Sequence, residues 1–257
     1  MRFVITESIL LLAGFSALGG TSEKGGIKGE KVSYRSGKET VHALWYRPTG
    51  KGPFPGVVIM HGDFGLTEWV KKQGQRLAGK GFAILTIDLY RGEIPKNVEE
   101  AHILERGLPE DRVADDVKAA VDFLLNRQET RKESLAILGW DMGGGHALEG
   151  AIRDRRLKAA VVCYGRVPTD ASSLSTLESS VLGIFAGKDE GIPPTTLDQF
   201  RAAMKKAGKR LAGLHIYPNC GNGFMDPASP YASGPPATAA IQDAWKKIEE
   251  YLARELK

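Results

Sequence analysis

The stretch Ile137-Leu138-Gly139-Trp140-Asp141-Met142-Gly143-Gly144-Gly145 decides how the rest of this chain is read. An apolar run passes into Gly-x-Asp-x-Gly-Gly and then into a helical pattern from Gly145 to Arg153. Glycines flank the turn because strand and helix meet there too closely for side chains. A turn of this kind is a nucleophile elbow, and it lifts one side chain above the end of a parallel sheet. Here that side chain is the carboxylate of Asp141, where serine or cysteine is usual. The architecture is legible at once; the chemistry is not.

The elbow lies within alternating strands and helices. Lys31 to Ser36 and Thr40 to Tyr46 alternate apolar and polar residues around Ser36-Gly37-Lys38, as an antiparallel hairpin does. Gly56 to Met60 and Phe82 to Ile87 are continuous apolar runs, the mark of strands covered on both faces. Further strands are expected at Ser134 to Leu138, Ala159 to Tyr164, Val181 to Ala186 and Leu211 to Tyr217. Helices are expected at Trp69 to Gly79, Pro109 to Leu125, Thr195 to Ala207 and Thr238 to Leu256. Val113, Val117, Ala120, Val121 and Leu124 form one apolar stripe on the second of these. Strands alternating with helices of this length predict βαβ units: an α/β fold with a mainly parallel sheet, eight-stranded or nearly so, flanked by helices.

A chain of 257 residues with 42% hydrophobic content buries a full core and fits one such domain, expected over 31–257 after a loop at 21–30. The formal net charge is +4, yet Lys and Arg are scattered among Asp and Glu. No basic stripe with interleaved aromatics is present, so nucleic acid is not an expected partner. Cys163 and Cys220 fall in different segments, with neither metal-ligand spacing nor a disulfide framework. Residues 1–20 carry Arg2, an apolar stretch from Ser8 to Leu18 and small residues beyond it. They read either as a secretory signal or as a helix docked on the domain, and the apolar run is too short to span a membrane. The first reading implies a periplasmic or secreted protein; the second, a cytoplasmic one.

Beyond the elbow, four further segments stand in order: Val58 to Leu66 with His61-Gly62-Asp63-Phe64-Gly65, Asp88 to Gly92, Gly187 to Pro193, and Tyr217 to Phe224. From about Lys31 onward the chain resembles the dienelactone hydrolase family of α/β-hydrolases. The resemblance implies the α/β-hydrolase fold, no metal and no cofactor. It also implies a cysteine or serine nucleophile at the elbow, an acid after a later strand and a histidine in the loop after the last strand. Asp141, Asp189 and Asn222 occupy those three positions here. Asp189 fits the acid, a carboxylate able to orient an imidazole. Asn222 does not fit the histidine, since an amide neither takes a proton from a nucleophile nor returns one. Gly62 is a third departure, standing where the family tends to have glutamate.

By position the backbone N–H groups of Met142 and Asp63 would form the oxyanion hole. A carboxylate at a helix N-terminus is stabilised by exposed N–H groups, and the second oxygen of Asp141 is placed to occupy those donors itself. Arg91 matches the family's arginine near the substrate carboxylate, so an anionic small molecule is one expectation; a loop ion pair with Glu93 or Glu99 is the other. Phe64, Tyr90 and Trp140 are expected at the pocket mouth or in the core. His61 and His146 read as structural. Two functional readings remain open. One is a hydrolase of small esters, lactones or halogenated acids that uses Asp141 as the nucleophile. The other is a family member whose substituted active site binds ligand without turnover. Monomer and homodimer are both left open.

Overall fold

The computed structural model describes residues 27–226, 228–229 and 238–257. The signal or docked helix expected over 1–20, and most of the loop at 21–30, lie outside the described residues. Eight strands form one sheet in the order β1-β2-β4-β3-β5-β6-β7-β8. β1 (Glu30–Ser36) and β2 (Glu39–Tyr46) make the expected hairpin, with Ser36 opposite Glu39, and β2 runs antiparallel to β4 (Ala83–Ile87). From β4 through β3 (Phe54–Met60), β5 (Thr130–Trp140), β6 (Leu157–Cys163), β7 (Ser180–Ala186) and β8 (Leu211–Tyr217), every pairing is parallel. This is the expected α/β-hydrolase sheet.

The apolar runs became strands because helices cover both of their faces. Val57, Val58, Ile59 and Met60 of β3 and Leu135 to Leu138 of β5 are wholly buried. Each of the Val, Leu, Ile and Met side chains among them contributes about 1.5–3 kcal/mol through the water it leaves. The stripe read from sequence is the buried face of α3 (Glu110–Leu125), which adds one polar member, Asp116. The other helices are α1 (Glu68–Gly79), α2 (Val98–Arg106), α4 (Met142–Arg153), α5 (Pro194–Lys206) and α6 (Thr238–Glu255). Among the described residues no helix is long and apolar enough to cross a membrane.

Two differences from the sequence expectation have local causes. β5 begins at Thr130, four residues early, because Thr130 and Arg131 pair with Phe54 and Pro55 before a register shift. α2 was not expected, since it buries only Ala101 and so shows no apolar stripe. A capping box marks its start instead: the Glu100 N–H donates to Asn97 Oδ1 at 2.9 Å, and the Glu100 carboxylate receives the Asn97 amide and the Lys96 N–H.

Parallel strands share one carboxyl edge. The loops after β3, β5, β6, β7 and β8 therefore converge there, where open α/β sheets place their ligands.

Candidate active site

Asp141 sits between β5 and α4 with φ 54° and ψ −126°. A non-glycine residue with positive φ costs of order 1–3 kcal/mol and persists only where its surroundings enforce it. Here they do. The Asp141 N–H donates to the Cys163 carbonyl at 3.0 Å, and the Gly144 N–H returns to the Asp141 carbonyl at 2.9 Å. A methyl group on Gly143 would lie 2.1 Å from the carbonyl oxygen of His61, and one on Gly139 only 2.0 Å from that of Gly143. Helix, elbow and neighbouring strand ends thus meet backbone to backbone, and the glycines are what permit it.

Asp141 opens on a cavity of about 300 Å³. Phe64, Trp69, Trp140 and Tyr164 give it aromatic walls, and Asp63, Glu68 and Asp226 add carboxylates. No Lys, Arg or His stands among the described residues that line it. Trp140 packs edge-on against Trp69 at 4.9 Å, and its buried indole N–H has no partner. Gly62 keeps the floor low: a methyl there would come within 3.2 Å of the Asp141 Cβ.

The Met142 N–H is not free. It donates to Asp63 Oδ1 at 3.1 Å, and Asp63 is only 8% exposed. Asp141 was expected to fill the oxyanion position itself, but the side chain of Asp63 takes that donor from the loop after β3. Burial, then the neighbouring Asp63, with smaller contributions from Asp189 and Glu105, pushes the Asp141 carboxyl well above the usual carboxylate range. A hydrogen bond from Asn222 opposes this. Asp63 is also raised, by burial and by Glu105, against the Met142 N–H, His102 and Arg166. Two carboxyl groups in one water-poor cleft resist ionising together.

Asp189, 6% exposed, accepts the N–H groups of Gly191 at 2.9 Å and Ile192 at 3.2 Å on Oδ1. Its Oδ2 is buried without a partner, as is Asn222 Oδ1. The two loops are tied together, for the Lys188 N–H donates to the Cys220 carbonyl at 2.9 Å. An imidazole at position 222 would carry an N–H of the kind that the buried Asp189 Oδ2 lacks here.

Arg91 is placed elsewhere. Its guanidinium grips Asp116 at 2.7 and 3.0 Å and Glu39 at 2.9 Å, and it does not line the cavity. An ion pair therefore forms, but with Glu39 of β2 and Asp116 of α3 in place of the expected Glu93 or Glu99. Tyr90 is likewise displaced: it is buried, it stacks on His61 at 4.8 Å, and its hydroxyl reaches Met142 Sδ at 3.5 Å. Phe64 and Trp140 do line the cavity. Both ring nitrogens of His61 are occupied, Nδ1 by the Gly62 carbonyl at 2.7 Å and Nε2 by the Leu89 N–H at 3.1 Å. Burial lowers the pKa of that ring, and with Nε2 already accepting the Leu89 N–H it has no free lone pair with which to replace the missing base. His146 pairs with Glu149 at 3.8 Å, on a separate cavity beyond α4.

Trp69, Tyr164 and Asp226 line the cavity in addition to the residues that the sequence points to. The first two carry a signal: Tyr164 follows the apolar run of β6 as Trp140 ends that of β5, and Trp69 opens the helix after the His61–Gly65 loop. Asp226 carries none.

A family model described as "Dienelactone hydrolase family" matches residues 41–256. The chain belongs to the dienelactone hydrolase family. It is thus a dienelactone hydrolase-like hydrolase by descent, with the α/β-hydrolase fold. A protein of Methylorubrum extorquens assigned as a carboxymethylenebutenolidase is 30% identical over 248 residues, covering 90% of this chain and 82% of the relative. A Bradyrhizobium protein assigned as a 2-oxo-3-(5-oxofuran-2-ylidene)propanoate lactonase is 30% identical over 219 residues, covering 80% of this chain and 86% of the relative. Among solved structures, a dienelactone hydrolase-like promiscuous phosphotriesterase from metagenomic libraries superposes with a TM-score of 0.81 at 25% identity. It is matched over its full length by 91% of this chain. Dienelactone hydrolases act on small molecules, and the cavity is of a size to hold one.

Proposed function

We propose that this protein hydrolyses small uncharged lactones or esters in the cavity above Asp141. The observation that carries this reading is Asp141 itself, held at positive φ on an elbow and opening on an aromatic-walled cavity of about 300 Å³. A scaffold that maintains a strained turn beneath a pocket supports chemistry there. The lactone class is favoured by the relatives assigned as a carboxymethylenebutenolidase and a lactonase. An anionic substrate, such as a 2-halo acid, is disfavoured. Its carboxylate would meet Asp63, Glu68 and Asp226 without a cation among the described lining residues, and Arg91 is engaged by Asp116 and Glu39. The test is a panel of α-angelica lactone, dihydrocoumarin, 4-nitrophenyl acetate and 2-chloropropionate. Turnover of the first three and none of the fourth is expected; turnover of the halo acid alone would overturn the substrate class.

A second reading, ligand binding without turnover, draws on the occupied Met142 donor and on Asn222 at the histidine position. It predicts saturable binding of the same lactones, read by quenching of Trp69 and Trp140 fluorescence, with no product formed.

A further inference from the structure

We propose that Asp63 and Asp141 form a catalytic carboxyl pair: Asp63 takes a proton from water as that water attacks the substrate carbonyl, and Asp141 gives a proton to the carbonyl oxygen. The proposal rests on the hydrolase reading above and supplies the chemistry that reading lacks. Both side chains line the same cavity. The Met142 N–H, one residue beyond Asp141, lies 3.1 Å from Asp63 Oδ1, which brings the two carboxyls beside one another from loops 78 positions apart. That N–H fixes one oxygen of Asp63 and leaves the other as the basic atom. The Asn222 hydrogen bond does the same for Asp141, satisfying one oxygen and leaving the proton to the other.

The covalent route is closed on several sides. Neither His61, bonded at both nitrogens, nor His146, which turns to Glu149, is placed to serve the pair. The Met142 donor that would hold an acyl-transfer oxyanion is already taken. Attack by Asp141 on an ester would form an anhydride, a poor bargain against direct hydration. Two neighbouring carboxyls that share one proton supply a base and an acid together, which is what adding water across a carbonyl requires.

The steps balance. Water gives one proton to Asp63 and bonds through oxygen to the carbonyl carbon, while the proton of Asp141 passes to the carbonyl oxygen, leaving a neutral geminal diol. The bond from that carbon to the ring oxygen then breaks. Asp63 returns its proton to the departing oxygen, and Asp141 recovers one from a diol hydroxyl. Lactone and water have become a hydroxy acid, and the pair is back in its starting state.

The order of the two protonation states follows from what surrounds them. Asp141 is faced by Asp63 and Asp189, more distantly by Glu105 of α2, and by the amide of Asn222. Asp63 is faced by Glu105, by His102 of α2 and by Arg166. The Met142 N–H and the Arg166 guanidinium favour the ionised form of Asp63, while Asp141 has three acids about it. Asp63 is therefore the base and Asp141 the acid.

The experiment uses the unaltered full chain and two isosteric variants, Asp63→Asn and Asp141→Asn. With dihydrocoumarin in ¹⁸O-water, label should enter the product carboxylate, with none in the peptide containing Asp141 and no acyl group on that peptide after acid quench. Each variant should lose on the order of 10²–10³-fold in kcat. The double variant should be no worse than the poorer single one, as for groups that act as a unit. kcat for the unaltered protein should be bell-shaped in pH, and Asp63→Asn should lose the acid limb, a change that a structural role would not produce. Label or an acyl group on Asp141 would overturn the pair and leave the hydrolase reading standing. So would an Asp63→Asn variant with unreduced kcat. No turnover of any lactone or ester by the unaltered chain would remove both.

Discussion

Asp63 Oδ1 accepts the backbone N–H of Met142 at 3.1 Å, so the donor that follows the elbow residue is claimed by a side chain from a different loop. In a nucleophile elbow that N–H is the natural partner of a developing oxyanion. Here it is bonded to a resident carboxyl group, and that group in turn helps to push the Asp141 carboxyl above the usual carboxylate range. One hydrogen bond thus removes a feature of acyl-transfer catalysis and creates a pair of interacting acids.

Restoring a conventional triad should therefore need three changes. Asp141→Ser with Asn222→His supplies a nucleophile and a base beside Asp189, but the Met142 N–H stays occupied. Adding Asp63→Ala frees it. We expect the triple variant to exceed the double in kcat on 4-nitrophenyl acetate by on the order of 10²-fold, the value of one oxyanion donor. Equal rates would mean that the Asp63 carboxylate yields its place without cost.

Asp141 weakens the fold as pH rises. Its folded pKa lies above the ordinary 3.8, so its proton favours the native state below that value, and the benefit is lost as pH climbs through the folded pKa. Asp141→Asn keeps the shape and cannot ionise, and asparagine tolerates positive φ. Thermal denaturation should give nearly equal Tm values for variant and parent near pH 4. The variant should lead increasingly toward alkaline pH, by about 3 °C or more, the shift that about 1 kcal/mol produces. A constant gap across pH would show that the carboxyl is not strained by ionisation.

Arg91 should matter to the fold and not to the substrate. Asp116 is fully buried, and Arg91→Met leaves it without its cation. Breaking such a pair on one side costs about 3 kcal/mol. Urea denaturation should register that loss, while KM for dihydrocoumarin should change by less than about twofold. A large rise in KM with unchanged stability would return Arg91 to the substrate.

Two glycines should behave oppositely. Gly143→Ala places a methyl 2.1 Å from the His61 carbonyl oxygen, and the elbow must open by a cost of about 3 kcal/mol. Gly79→Ala meets nothing within 4 Å at the end of α1 and should be neutral or stabilising by about 0.5 kcal/mol. Measured Tm values for both variants check the contrast.

The fold was legible because hydrophobic periodicity is local. The apolar runs of β3 to β7 and the stripe on α3 appear in the sequence at the spacing their burial demands. α2 escaped because one buried alanine makes no stripe, although its capping box stood in plain view at Asn97 and Glu100. β5 ran longer than its apolar segment because a partner strand, not its own composition, recruited Thr130 and Arg131.

By itself the sequence determined the sheet, the elbow with a carboxylate at its tip, and a last-strand loop lacking its imidazole. Each of these rests on residues adjacent in the chain. Only the tertiary structure decided that Asp63 would occupy the Met142 N–H, that Arg91 would turn to Asp116 and Glu39, and that Tyr164 and Trp69 would wall the cavity. These outcomes depend on which side chains from remote segments compete for one donor, one cation or one face. That competition is settled by distance and burial, quantities that do not exist until the strands are side by side.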